Sequence, residues 1–369
     1  MNNTERGTDT LIPVFDGHND VLLQLWEQHR QNPEQAFLQG PASGQMDLPR
    51  CQQAGFAGGL FAAWVPSPRF DAASVPDPQI DARFLLEGTQ KHPDFSPTPS
   101  FESARDTTLA MMAFLLRIEQ QSQGAVKICR SAADIREALA SKALAVVMHI
   151  EGAEGIDPDL YTLDVLYEMG LRTLGPVWSR PNIFGHGVPF KFNTSPDFGP
   201  GLTDLGVKLV QACNRKRILI DLSHLNEQGF WDVAKFSDAP LVASHSNAFA
   251  LCAQSRNLTD KQLAAIKETQ GFVGVNFATP FLREDGKNSP DTGTEDYLRH
   301  LDYLVEKLGE DHVGFGSDFD GAPMAPFMRD VSGLPVLIEA MRKSGYGEPL
   351  IAKIAHQNWI NVLERTWGE

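Results

Sequence analysis

His18 and Asp20 stand two residues apart after Gly17, just past the apolar run Ile12-Pro-Val-Phe15. An imidazole and a carboxylate at that spacing, where a strand ends, can hold one divalent metal ion. H-x-D alone arises by chance in many chains, but here the arrangement recurs. Glu151 follows the apolar residues 143–150, His224 follows 218–222, His245 follows 240–244 and Asp318 follows 313–317. Five separate apolar runs each end in a side chain able to bind a metal or carry a proton. Three imidazoles and two carboxylates suit zinc or a similar first-row ion. Two such ions about 3.5–4 Å apart can hold a hydroxide between them and polarise a carbonyl. Glu151 is the natural bridge, because His18 with Asp20 and His224 with His245 would otherwise supply only two side chains to each ion.

Asp318, in Gly314-Phe-Gly-Ser-Asp-Phe-Asp-Gly321, is placed to take a proton from an attacking water and return it to a leaving amine. Asp320 is its rival; Asp318 is favoured because it directly follows the strand, whereas an Asp before Gly321 reads as a turn residue. Arg256 suits a bidentate pair with a substrate carboxylate, and equally an ordinary surface arginine near a helix cap. His149 precedes Glu151 by two and reads as a barrel-core or supporting histidine. Glu154 reads as solvated and His186 as an exposed loop histidine. His29, His92, His300, His312 and His356 have no evident partners and read as structural.

The elements that must position these residues alternate. Strand candidates lie near 12–15, 58–65, 143–150, 171–177, 218–222, 240–244, 272–277 and 312–317, eight in all. Helical patterns lie between them, as at 132–141, 205–215, 259–269 and 294–308, the last with leucines at helical spacing. Alternating strands and helices predict a parallel sheet covered by helices, and eight units predict a closed (β/α)₈ barrel of the TIM type. In such a barrel, residues just past the strand ends converge on one face. All 369 residues are read as a single domain. Two loops break the rhythm, near 66–105 and 181–200, and both are expected on the active face.

Composition narrows the partners. A formal net charge of -15 argues against nucleic acid and anionic membrane. The four cysteines form no C-x-x-C pair and read as buried free thiols. The chain lacks an amino-terminal apolar core and any run long enough to span a bilayer, so the expectation is a cytoplasmic protein with a small-molecule substrate. A homodimer is compatible with this reading.

The motifs Asp16-Gly-His-Asn-Asp20, His149-Ile-Glu-Gly152, Ile220-Asp-Leu-Ser-His224, Ala243-Ser-His-Ser246, Ser255-Arg-Asn257 and Gly314–Gly321 together resemble the renal or membrane dipeptidases (peptidase family M19), a branch of the amidohydrolase barrels. The motifs follow the family order across nearly the whole chain. The resemblance implies two zinc ions bridged by Glu151, with His18 and Asp20 on one and His224 and His245 on the other. It also implies proton transfer by Asp318, and recognition of the substrate's terminal carboxylate by Arg256. Two departures bear on substrate. Where the family carries a histidine that helps polarise the scissile carbonyl, this chain has Trp178, in Leu174-Gly-Pro-Val-Trp178. A tyrosine often found after Val275-Asn-Phe is also absent. Trp178 is therefore expected to line the substrate site, with His186 the candidate to replace the missing imidazole. The leading expectation is a dinuclear zinc dipeptidase. A related hydrolase acting on a non-peptide amide or on a C–C bond of a carboxylate-bearing ketone is the alternative, and a non-catalytic metal-binding protein the second.

Overall fold

The computed structural model describes residues 11–68 and 95–368. Among the described residues nine parallel strands are present: β1 (Val14–Asn19), β2 (Phe56–Trp64), β3 (Val126–Ile128), β4 (Leu144–Glu151), β5 (Leu171–Gly175), β6 (Leu219–Ile220), β7 (Val242–Ala243), β8 (Phe272–Asn276) and β9 (Val313–Gly316). Eight of them run in the order β6-β5-β4-β2-β1-β9-β8-β7. A parallel bridge between Asp221 and Val242 joins the two ends, giving a (β/α)₈ barrel. The ninth strand, β3, pairs with the first half of β4, while β5 pairs with the second half. Sequence reasoning missed β3 because three residues, Val-Lys-Ile, are too few to show a period.

Burial follows from the alternation of side chains along each strand. In β4, Val146, Met148 and Ile150 join the layer between strands and helices. Ala145 and Val147 face the barrel interior beside Phe15, Leu60, Val242 and Phe272. His149 and Glu151 continue the interior series, so the same strand that fills the core carries Glu151 to its mouth. β1 is irregular: its register against β2 shifts between Asp16 and Asn19, and such a shift re-aims side chains. Gly17 is required there, since a Cβ would overlap Ser244 O and the Trp359 ring. Trp359, from the last helix (Asn358–Trp367), closes the far end of the barrel and donates its Nε1–H to Phe315 O at 2.8 Å.

The helices predicted at 132–141, 205–215, 259–269 and 294–308 are all present within a few residues. Two begin with capping boxes, Ser131 with Asp134 and Thr259 with Gln262, which satisfy otherwise unpaired amide groups. Three short helices between β1 and β2 were not anticipated. The loop expected near 66–105 lies largely outside the described residues and ends at a 21-residue helix, Phe101–Gln121. The loop at 181–200 is irregular, as expected. Its isolated bridges, Gly187 with Leu225 and Phe192 with Gln254, lay it over the loops that follow β6 and β7. All four cysteines are free and buried. Among the described residues no helix is long and apolar enough to cross a membrane.

Candidate metal centre

The residues singled out at the strand ends meet at one end of the barrel. The Nε2 atoms of His224, His245 and His18 lie 2.8, 3.3 and 3.7 Å from Glu151 Oε1. Asp20 Oδ2 is 3.2 Å from His18 Nε2, and the rings of His18 and His245 stack at 3.8 Å. His18, Asp20 and Glu151 form one group able to hold a metal ion, Glu151, His224 and His245 a second, and His18, His245 and Asp318 a third. Glu151 is common to the first two.

Local backbone geometry makes this convergence possible. His224 and Asp318 have φ of 71° and 64°, a left-handed conformation that side chains other than glycine adopt at a cost. Each residue turns sharply off its strand and points into the barrel mouth. Gly321 leaves a gap between carboxylates, since a Cβ there would overlap Asp20 Oδ2 and crowd Asp318 Oδ1.

The donor set fits divalent cations. Glu151 Oε1 and Asp20 Oδ1 are buried without a hydrogen-bond partner, an expensive state for a carboxylate unless a cation meets it. Burial disfavours the imidazolium of His18, yet the Glu151 and Asp20 carboxylates outweigh it and raise its pKa to about 10. The cluster thus attracts positive charge. Burial and then Arg256 and His18 push His224 and His245 well below the ordinary range, burial and then His18 doing most for His245. Both rings are held neutral, the form that ligates metals.

Supporting contacts orient the cluster. His224 Nδ1 lies 2.8 Å from Ser179 Oγ, and His245 Nδ1 2.7 Å from Ser244 Oγ. Asn276 Nδ2 donates to Asp318 Oδ2 at 2.9 Å, leaving Oδ1 toward Gly321 and the cluster. Burial raises the Asp318 pKa, partly offset by His18. Asp320, its rival, accepts the Gln45 amide on Oδ1 at 2.5 Å and ties down a neighbouring loop, as a turn residue would. His149 sits one layer beneath Glu151 with Nδ1 3.0 Å from Thr173 Oγ1.

Two readings of the sequence, those of Glu154 and His186, need correction, and one left open between two alternatives, that of Arg256, loses its surface alternative. Arg256 is not a surface arginine: it is buried, its Nε lies 3.1 Å from His224 Nδ1, and it donates to Ser246 Oγ and the His245 carbonyl at 3.0 and 3.1 Å. Glu154 is not solvated; it is buried against Arg180, whose Nε lies 2.8 Å from Oε1. His186 is buried rather than exposed, with Nδ1 3.2 Å from Gly201 O. Neither His186 nor Arg256 is among the residues that line the cavity; Arg256 lies directly behind the lining residue His224, whereas the loop of His186 folds back over the loop after β6. Sequence reasoning also missed Asn276, Ser179 and Arg180. None follows a periodic pattern, although Asn276 lies in the strand-end segment Val275-Asn-Phe277 and Ser179 and Arg180 adjoin Trp178.

A cavity of about 320 Å³ opens onto the cluster. Asp20, Glu151, His224 and Asp318 form its polar end. Trp64, Trp178, Phe190 and Phe281 line its wall, and Trp178 lies 5.8 Å from the His224 ring.

A helix-covered barrel with buried histidines and carboxylates at its mouth is the architecture of metal-dependent hydrolases. The membrane dipeptidase family, peptidase family M19, matches residues 6–367, and this chain belongs to that family; it is a metallodipeptidase. A crystal structure of a family M19 metallopeptidase named dipeptidase AC is 52% identical, with a TM-score of 0.89 over 98% of this chain and all of that one. A metallopeptidase from Rhodobacter sphaeroides, liganded with a phosphinate mimic of the dipeptide L-Ala-D-Ala, is also 52% identical. Its TM-score is 0.88, over 97% of this chain and 100% of that one. An uncharacterised protein of Klebsiella pneumoniae from the pqqA 5′ region is 47% identical over 264 residues, 72% of this chain and 97% of its own.

Proposed function

We propose that this protein hydrolyses small dipeptides with a free terminal carboxylate at a site holding two zinc ions. The convergence of three imidazole nitrogens on Glu151 Oε1 carries this reading. His18 and Asp20 would hold one ion, His224 and His245 the other, and Glu151 would bridge them. Ions there supply Lewis acidity and lower the pKa of water. The chain's own groups do the rest. Asp318 Oδ1 takes the proton of the water that attacks the scissile carbonyl and delivers it to the leaving amine, while Asn276 keeps Oδ2 fixed. Arg256 uses N–H donors beyond those held by Ser246 and the His245 carbonyl to meet the substrate carboxylate. Trp178 walls the cavity; its indole N–H can donate but cannot accept a proton. With His186 outside the lining, no histidine among the described residues other than the cluster's own stands at the cavity to replace the family's histidine at the carbonyl. The whole chain would act as one barrel domain, with the loop at 181–200 over the active face.

Metal analysis of the purified protein should give close to two ions per chain, and Glu151→Ala should lose at least one. A panel of L-Xaa-L-Xaa and L-Xaa-D-Xaa dipeptides should yield substrates. Activity that survives complete removal of metal would refute the proposal.

A further inference from the structure

Arg180, in the loop after β5, has no exposed surface. Its Nε donates to Glu154 Oε1, its Nη1 to Ser67 Oγ and its Nη2 to the Val65 carbonyl, each at 2.8 Å. Val65 and Ser67 follow β2 and Glu154 follows β4, so one guanidinium fastens three loops at the barrel mouth. Such a set of partners suits the planar fork of arginine and not the point charge of lysine. Above it lie two indoles, with the guanidinium carbon 5.6 Å from the Trp64 ring and 5.2 Å from Trp178. Both distances are within cation–π range.

Those indoles begin a continuous strip. Trp64 and Trp178 are 5.0 Å apart, Trp178 and Phe190 5.5 Å, and Phe190 and Phe281 6.0 Å with their planes nearly parallel. All four line the cavity. The strip passes His224 and ends beside Arg256, whose guanidinium carbon is 6.0 Å from the Phe281 ring. In the barrel order, β6, which leads to His224, lies across from β1 and β9, which lead to Asp20 and Asp318. The stretch from Trp178 through Phe190 to Phe281 flanks His224 and Arg256, whereas Trp64, at the end of β2, lies on the side of β1. Away from the metal ligands and Asp318, the remaining lining is Leu23, Ala278, Pro280, Gly321, Ala322, Pro323 and the amide of Gln254. No lysine or arginine is among these lining residues. Among the described residues, an acidic side chain there would have to share Arg256 with the substrate carboxylate and a basic one would compete for the carboxylates of the cluster, each after losing water, whereas an apolar one would gain ring contact.

We propose that Arg180 is a positioning residue for this aromatic strip, and that the strip selects dipeptides whose carboxyl-terminal residue has an apolar or aromatic side chain. The proposal rests on the dipeptidase reading above. The test compares kcat and KM for L-Ala-Xaa substrates, with Xaa being Phe, Leu, Asp or Lys in both configurations, against the reversed Xaa-L-Ala series. Metal content and thermal midpoint are measured alongside. The parent should favour Phe and Leu over Asp and Lys at the carboxyl-terminal position by about tenfold or more in kcat/KM. Arg180→Lys should reduce that preference about threefold or more, mainly through KM, with metal content retained and the reversed series keeping its ranking. If Arg180→Lys does not fold, Trp178→Leu should weaken the same preference. A parent that cleaves all four side chains equally overturns the proposal, as does a loss in both variants that is uniform across substrates. A metal-loaded parent that cleaves no dipeptide overturns the underlying dipeptidase reading instead.

Discussion

His300 offers a quantitative test of how the loop carrying Arg256 is held in place. It lies on the helix Thr294–Leu308 and is fully buried. The Ala248 amide donates to its Nδ1 at 3.2 Å, and its Nε2 lies 2.9 Å from the Leu282 carbonyl. Those partners fix the neutral tautomer with the proton on Nε2. A second proton on Nδ1 would face the Ala248 N–H and break that bond. Burial accordingly lowers the pKa from 6.5 to about 4, against a smaller opposing effect of the Leu282 carbonyl. The folded value lies below the unfolded one, so the unfolded chain binds the extra proton and acid favours unfolding. Above the unfolded pKa this histidine costs nothing. The penalty grows as pH falls and levels off below the folded pKa. The cited values give a loss of about 2 kcal/mol between pH 7 and pH 5, and about 3 kcal/mol by pH 4. His300→Gln removes the titration and sacrifices one of the two hydrogen bonds, so at pH 7 it should be less stable by about 1–3 kcal/mol. Urea unfolding of both proteins across pH 5–7 should show the gap narrowing by about 2 kcal/mol toward pH 5. Other titrating groups, the metal ligands included, largely cancel in that difference. A gap that stays constant with pH would refute the reasoning.

Asp318→Asn preserves shape and removes the base, so turnover should fall about 10²–10⁴-fold with both metals still bound; near-normal turnover would remove Asp318 from proton transfer. Gly321→Ala places a methyl against Asp20 Oδ2 and Asp318 Oδ1, so metal stoichiometry measured by elemental analysis should fall. Two retained ions with parental turnover would show that the gap is not needed.

The sequence by itself determined the barrel and the histidines and carboxylates that meet at its mouth. Strand-end residues can be recognised without coordinates because a buried parallel strand is a short apolar run, and the polar residues at or just past its end emerge at the barrel rim. His18, Asp20, Glu151, His224, His245 and Asp318 are all of this kind. Residues that act through partners distant in the chain were beyond its reach. Glu154 reads as solvated and Arg180 carries no signal in the sequence, and only folding puts each into the low-dielectric interior where it needs the other. Arg256 looked equally suited to the surface, and its burial depends on where the loops after β6 and β7 pack. His186 looked exposed in a polar, glycine-rich loop, and only the path of that loop turns its ring away from the cavity. The spacing of residues along a strand is a local property that sequence carries directly. The packing of one loop on another is not, because it depends on the shape of the whole barrel mouth.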